Sequence, residues 1–171
     1  LGRAATAPYH FARADSYRDG TRSLSSNVRP RSTGFGATYS IGGLKLARQI
    51  VFTPKAAKPP PTYSQAVKAA GLVFVSGTSP TDATTGTITG TTIQEQTRQC
   101  LFNIQAILEA AGSSLDKLVS VTVVLAEEDD FPGMNEEWLK WFPSNPPARQ
   151  GAKLPARIPG LKVSIAAIAE A

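Results

Sequence analysis

A chain of 171 residues suits one domain plus an appendage and buries a core without covalent staples. One cysteine, Cys100, excludes an internal disulfide. With one histidine, His10, in a stretch without structural pattern, a Cys/His zinc site is hard to assemble and a histidine triad is disfavoured, so no metal is expected. Chemistry is then left to Arg, Ser, Tyr, Asn, carboxylates, backbone groups or bound water.

The net charge of +5 is unevenly placed. Residues 1–50 hold seven Arg and one Lys against two Asp, a net of +6, whereas residues 51–171 hold ten basic and eleven acidic side chains, a net of −1. The second part therefore has no electrostatic reason to seek phosphate backbones, which argues against nucleic acid as a partner. Residues 1–45 are rich in Arg, Ser, Ala and Gly and poor in acids, with no apolar run long enough for a secretory or membrane segment. That composition suits a mitochondrial or plastid transit peptide, with a disordered tail as the alternative. The expected location is the mitochondrial matrix in the first case and the cytoplasm in the second, with residues 46–171 as the folded domain.

The first expected strand is "RQIVFT" (48–53), followed by a Pro/Lys-rich connection that ends in the triple proline 59–61. "GLVFVSG" (71–77) reads as a short strand buried on both faces, and "PTDATTGTITG" (80–90) as a turn-rich loop or hairpin. Over 92–111, Ile93, Thr97, Cys100, Leu101, Ile104, Ile107, Leu108 and Ala111 recur at steps of three and four, the stripe of a core-facing helix. Thr92 and Glu95 form a capping box, and Gly112 supplies the stop. Cys100 in that stripe reads as a small buried hydrophobe.

"KLVSVTVVLA" (117–126) alternates as a half-buried strand. The acidic run 127–130 reads as a solvated turn that complements the dipole of a second helix. That helix is expected to be capped by Asp130, to turn Phe131, Met134, Trp138, Trp141 and Phe142 inward, and to end at Pro143. "ARQGAKL" (148–154) and "LKVSIAAIA" (161–169) read as two closing strands. The order strand, strand, helix, strand, helix, strand, strand suggests an α+β layer, a mixed sheet with both helices on one face. The other face stays partly apolar, and its covering implies self-association.

The stretches "YSQAV" (63–67), "GLVFVSG" (71–77), "NIQAILEAAGSSLDKLVSVTVVL" (103–125), "DFPGMNEEW" (130–138), "PPARQGAKLP" (146–155) and "LKVSIAAIA" (161–169) together resemble the reactive intermediate deaminase (Rid/YjgF) family over residues 48–171. The resemblance implies a chorismate-mutase-like α+β fold assembled as a homotrimer, with sites in clefts between subunits. It implies hydrolysis of 2-imino acids, or their enamine tautomers of the 2-aminoacrylate type, to 2-keto acids and ammonia. No metal and no organic cofactor are implied.

The resemblance also assigns roles. Arg149 matches the arginine that binds the substrate carboxylate, a task its planar fork suits and a lysine does not. Pro146 and Pro147 restrict the backbone that leads to it. Tyr63 matches a tyrosine lining the cleft, Ser76 and Gly77 the small residues where ligand approaches backbone, and Asn135 an amide bordering the site. Three positions depart from the family pattern. Ser164 stands where a glutamate orients the hydrolytic water, with Ala166 at a second acidic position, and Gly151 stands where cysteine is frequent. Ser164 can hold a water but is a poor proton acceptor, whereas the Gly151 carbonyl remains available to polarise one. Two alternatives remain: a trimer that binds small carboxylates without turnover, which the missing glutamate favours, and an endoribonuclease, which the charge balance disfavours.

Overall fold

A computed structural model describes residues 48–155 and 158–171. The expected targeting segment 1–45 lies outside the described residues. The chain runs β1 (Gln49–Val51), β2 (Ala66–Ala69), β3 (Leu72–Thr78), α1 (Ile93–Ala110), β4 (Leu118–Leu125), α2 (Phe131–Trp141), β5 (Ala148–Lys153) and β6 (Val163–Glu170). The strands form one mixed sheet in the order β1-β2-β3-β6-β4-β5. Among the described residues only β4 and β5 pair in parallel, joined by α2 as a helical crossover. Strand β6 enters between β3 and β4 and runs antiparallel to both.

The α+β architecture agrees with the sequence reading, apart from an additional strand. β2 carries the sequence AVKA, which has neither the β-branched content nor the alternation that marks a strand. Its pairing with β3 is set by the turn instead. Ala70 and Gly71 both have positive φ, 52° and 76°, the primed geometry that suits a two-residue hairpin. Alanine in that position is unusual, and this hides the hairpin from sequence inspection.

Helix α1 matches its stripe closely. Every residue of that stripe is buried, and Leu101, Ile104 and Leu108 are completely enclosed. The Thr92–Glu95 capping box is present, and the C-terminus closes with Gly112 N–H on the Glu109 carbonyl and Ser113 N–H on that of Leu108. Val73, Val75, Val121, Val123, Val163 and Ile165 form the helix-facing side of the sheet and complete one core with α1, Met134 and Trp138. Cys100 is part of it, its thiol donating to the Val163 carbonyl and pushed up in pKa by burial.

The opposite face keeps a cross-strand apolar row. Ile50, Val67, Phe74 and Ile168 are successive partners across β1, β2, β3 and β6. Ile50 is 60% exposed and Phe74 40%.

Two expectations at the start of α2 need correction. Asp130 makes no side-chain cap; its carboxylate accepts from Lys162 Nζ at 3.3 Å, because the chain enters α2 from a 3₁₀ turn at Glu128–Asp130 and the cap residue is already helical in φ and ψ. Phe131 does not turn into the core. It is 47% exposed and shares a surface groove with Gly151, Ala152 and Lys153 of β5.

Candidate functional site

Arg149 lies on β5, an edge strand whose six residues are all exposed. It is paired with Val121, a core residue, so its side chain leaves the sheet on the helix side. There it meets α2. Nη2 donates to Oδ1 of Asn135 at 2.6 Å, Nη1 lies 3.6 Å from Met134 Sδ, and the guanidinium carbon sits 4.9 Å from the Trp138 ring centroid. The Phe131 ring flanks it at 5.9 Å. Burial against these groups draws the guanidinium below its ordinary pKa, yet an arginine stays charged. Among the described residues no carboxylate pairs with it. The result is a partly desolvated cation with unused donors.

The approach to it is stiff. Asn145 sits in the left-handed region at φ 49°, and Pro146 and Pro147 fix the next two φ angles. Both prolines and Arg149 line a cleft of about 410 Å³ with Asn135, Trp138, Leu139 and Phe142. Sequence inspection brought Arg149 and Asn135 into one site, and the fold places them in contact. It read Trp138 only as core, whereas its ring also carries the guanidinium.

The orientation of α2 depends on Glu137, which sequence inspection passed over. Its carboxylate is buried between the helices and accepts four bonds: Arg98 Nε and Nη2 at 2.8 Å each, Lys140 Nζ at 2.9 Å and Trp141 Nε1 at 3.2 Å. The Arg98 fork beside it holds its carboxyl down to about 2. Glu137, one of two adjacent acids between Met134 and Trp138, reads as a surface residue until its partner, 39 positions away, is known.

Tyr63, Ser76 and Gly77 gather in a different cleft, of about 240 Å³. Ser76 Oγ donates to the Ser64 carbonyl at 2.7 Å, and Tyr63 is half exposed. Gln65 braces this wall: its amide donates to the carbonyls of Thr53, Ala56 and Ala57 and its oxygen accepts the Thr53 N–H. Ser164 belongs to this neighbourhood. A Cβ built on Gly77 would lie 3.3 Å from Ser164 Oγ, and that hydroxyl donates weakly to the Thr78 carbonyl at 3.5 Å. Along β6, Ser164 alternates with buried Val163 and Ile165, so it faces the side of the sheet away from the helices. Gly151 returns to the Arg149 side, two residues along β5, beside Phe131 in a further groove. A Cβ there would meet only the Val123 carbonyl, at 3.9 Å.

Within one chain, then, the expected site residues form two groups. Arg149, Asn135 and Gly151 lie at the β5 edge, and Tyr63, Ser76, Gly77 and Ser164 lie around the end of β3. Strands β6 and β4 stand between β3 and β5, a separation of about 14 Å at ordinary strand spacing, and Ser164, on β6 itself, is separated from β5 by β4 alone. Among the described residues no cluster of His, Cys, Asp and Glu is arranged to hold a metal ion, and no helix is long and apolar enough to cross a membrane.

Residues 53–171 match the family model described as Endoribonuclease L-PSP. The chain belongs to the Rid family. It is 35% identical over 133 residues to Reactive Intermediate Deaminase A, chloroplastic, of Arabidopsis thaliana, covering 78% of this chain and 71% of that protein. It is 39% identical over 120 residues to Protein mmf1, mitochondrial, of Schizosaccharomyces pombe, covering 68% and 72%. Among solved structures, E. coli TdcF with bound serine superposes with a TM-score of 0.67 at 31% identity, over 72% of this chain and 98% of that one. The Rid fold thus accounts for the mixed sheet and the two helices.

Proposed function

We propose that this Rid protein hydrolyses 2-imino acids to 2-keto acids and ammonia. The observation that carries the reading is Arg149, a guanidinium held against Trp138 and Asn135 in a cleft with no acidic partner among the described residues. Such a group is prepared for two parallel hydrogen bonds to a small carboxylate. With the carboxylate fixed, water adds to the C=N carbon, giving a tetrahedral carbinolamine. Its collapse expels ammonia and leaves the keto acid. An enamine substrate enters by tautomerising to the imine. The imine is already an activated electrophile, so positioning supplies much of the rate even without a glutamate. The deaminase name of the Arabidopsis relative supports the same reaction.

The complete site is assigned to a boundary between copies of this chain, in a homotrimer. Two observations support this. Two strands lie between the end of β3 and β5 within one chain, so the β5 edge of one subunit has to meet the Tyr63–Ser76–Gly77 cleft of the next to close a single pocket. The row Ile50, Val67, Phe74 and Ile168 also needs cover. Ser164 would then hold the attacking water, and the Gly151 carbonyl would polarise it. Import into the mitochondrial matrix is assigned to residues 1–45, on their Arg-rich, acid-poor composition and the mitochondrial names of two Schizosaccharomyces pombe relatives.

Ser164 in place of glutamate favours one second reading, a trimer that binds keto or amino acids without turnover. Generating an imine in situ with an amino-acid oxidase and following its decay separates the two. Faster decay than in buffer supports the hydrolase. Decay at the buffer rate, with keto-acid binding by calorimetry, supports the binder.

A further inference from the structure

The Arg149 cleft has one charged corner and walls of carbon. Of its lining residues, Leu139, Phe142, Pro146 and Pro147 carry no side-chain hydrogen-bonding group at all. Trp138 and Phe142 pack with ring centroids 4.5 Å apart and planes tilted by 37°, and both are buried, so the floor is continuous and fixed in the core. Leu139, by contrast, is 64% exposed and stands at the rim of the same concave space. Scattered surface leucines need no explanation, but this one completes an apolar trough that begins at the guanidinium.

The volume of about 410 Å³ lies within the range of pockets that enclose drug-sized ligands. An imine with a three-carbon skeleton would leave most of that trough filled with water against apolar surface. We propose that the preferred substrates are imines of branched-chain or aromatic amino acids. The carboxylate lies on Arg149, and the side chain lies along Trp138, Leu139, Phe142 and the Pro146–Pro147 turn. This rests on the imine-hydrolase reading of the same site and adds its substrate class. Each methylene buried against those walls is expected to tighten binding about fourfold.

The test is calorimetry of the full chain with three stable keto-acid products: pyruvate, 4-methyl-2-oxopentanoate and phenylpyruvate. The expected result is that the two larger acids bind at least tenfold more tightly than pyruvate, and that Leu139→Ser narrows the gap several-fold. Leu139 lies outside the core, so that variant retains the fold, which circular dichroism checks. Pyruvate binding as tightly as the larger acids overturns the substrate class and leaves the clamp intact. Unchanged affinity of all three acids in Arg149→Ala overturns the clamp itself, and this inference with it.

Discussion

Arg149 donates to Asn135 Oδ1 at 2.6 Å, so a cation on the edge strand and an amide on α2 form one unit. The partner is neutral, and this decides how the site answers an anion. An amide oxygen yields to a carboxylate, because the charge-assisted bond is roughly twice as strong as a neutral one. Asn135→Asp replaces the amide with a permanent rival for the guanidinium. KM for a 2-imino acid is expected to rise about tenfold or more in Asn135→Asp, and less in Asn135→Ala, which merely frees the arginine. Steady-state kinetics of the two variants check the order; equal KM values would count against it.

Glu137 ties the site to the rest of the fold. Its carboxyl sits at about 2 against an ordinary 4.5, so it is charged in the native state well below the point where the unfolded chain takes up its proton. The sign follows from linkage: the stabilisation is fully present above about pH 5 and is lost as pH falls toward 2, with a magnitude of about 3 kcal/mol. Glu137→Gln is expected to cost about that much at pH 7, and its deficit against wild type should shrink as pH drops through this window. Denaturant unfolding at several pH values measures it. A deficit that stays constant with pH would show that the charge is not the source.

Ser164 faces the side of the sheet away from the helices and is only partly buried, which leaves room for a longer side chain toward the proposed subunit boundary. Ser164→Glu restores an acid that can take the proton of the attacking water. The expected outcome is a kcat higher by about 10²-fold at most, with KM within a few-fold of wild type. An unchanged kcat would place the water elsewhere.

Cys100 is fully buried, and burial raises its thiol pKa, so the reactive thiolate is scarce in the folded state. Alkylation by a thiol reagent is expected to be slow in buffer and to accelerate with denaturant in step with unfolding. Rapid labelling of the native protein would contradict the placement of α1.

The fold was legible where one side chain after another repeats a period. The stripe of α1, the alternation of β4 and the capping box at Thr92 needed no partner to be read. What escaped depended on geometry between distant residues. β2 has a strand's pairing but an alanine-rich sequence, and only the positive φ values at Ala70 and Gly71 define its hairpin. Asp130 has a capping residue's position, yet Lys162, far along the chain, claims its carboxylate. The placing of Arg149 and Asn135 in one site followed from motif resemblance, but their direct contact, the Trp138 ring beneath the guanidinium and the Glu137 anchor did not. All three depend on how α2 packs, and none leaves a local signature.

The most direct test of the central claim is the rate of imine decay with wild type, Arg149→Lys and Arg149→Ala at equal concentration. Loss of a bidentate charge-assisted clamp is expected to lower kcat/KM by about 10²-fold or more in Arg149→Ala, with Arg149→Lys in between. Three equal rates above buffer would mean that the guanidinium does not hold the substrate, and would contradict the account.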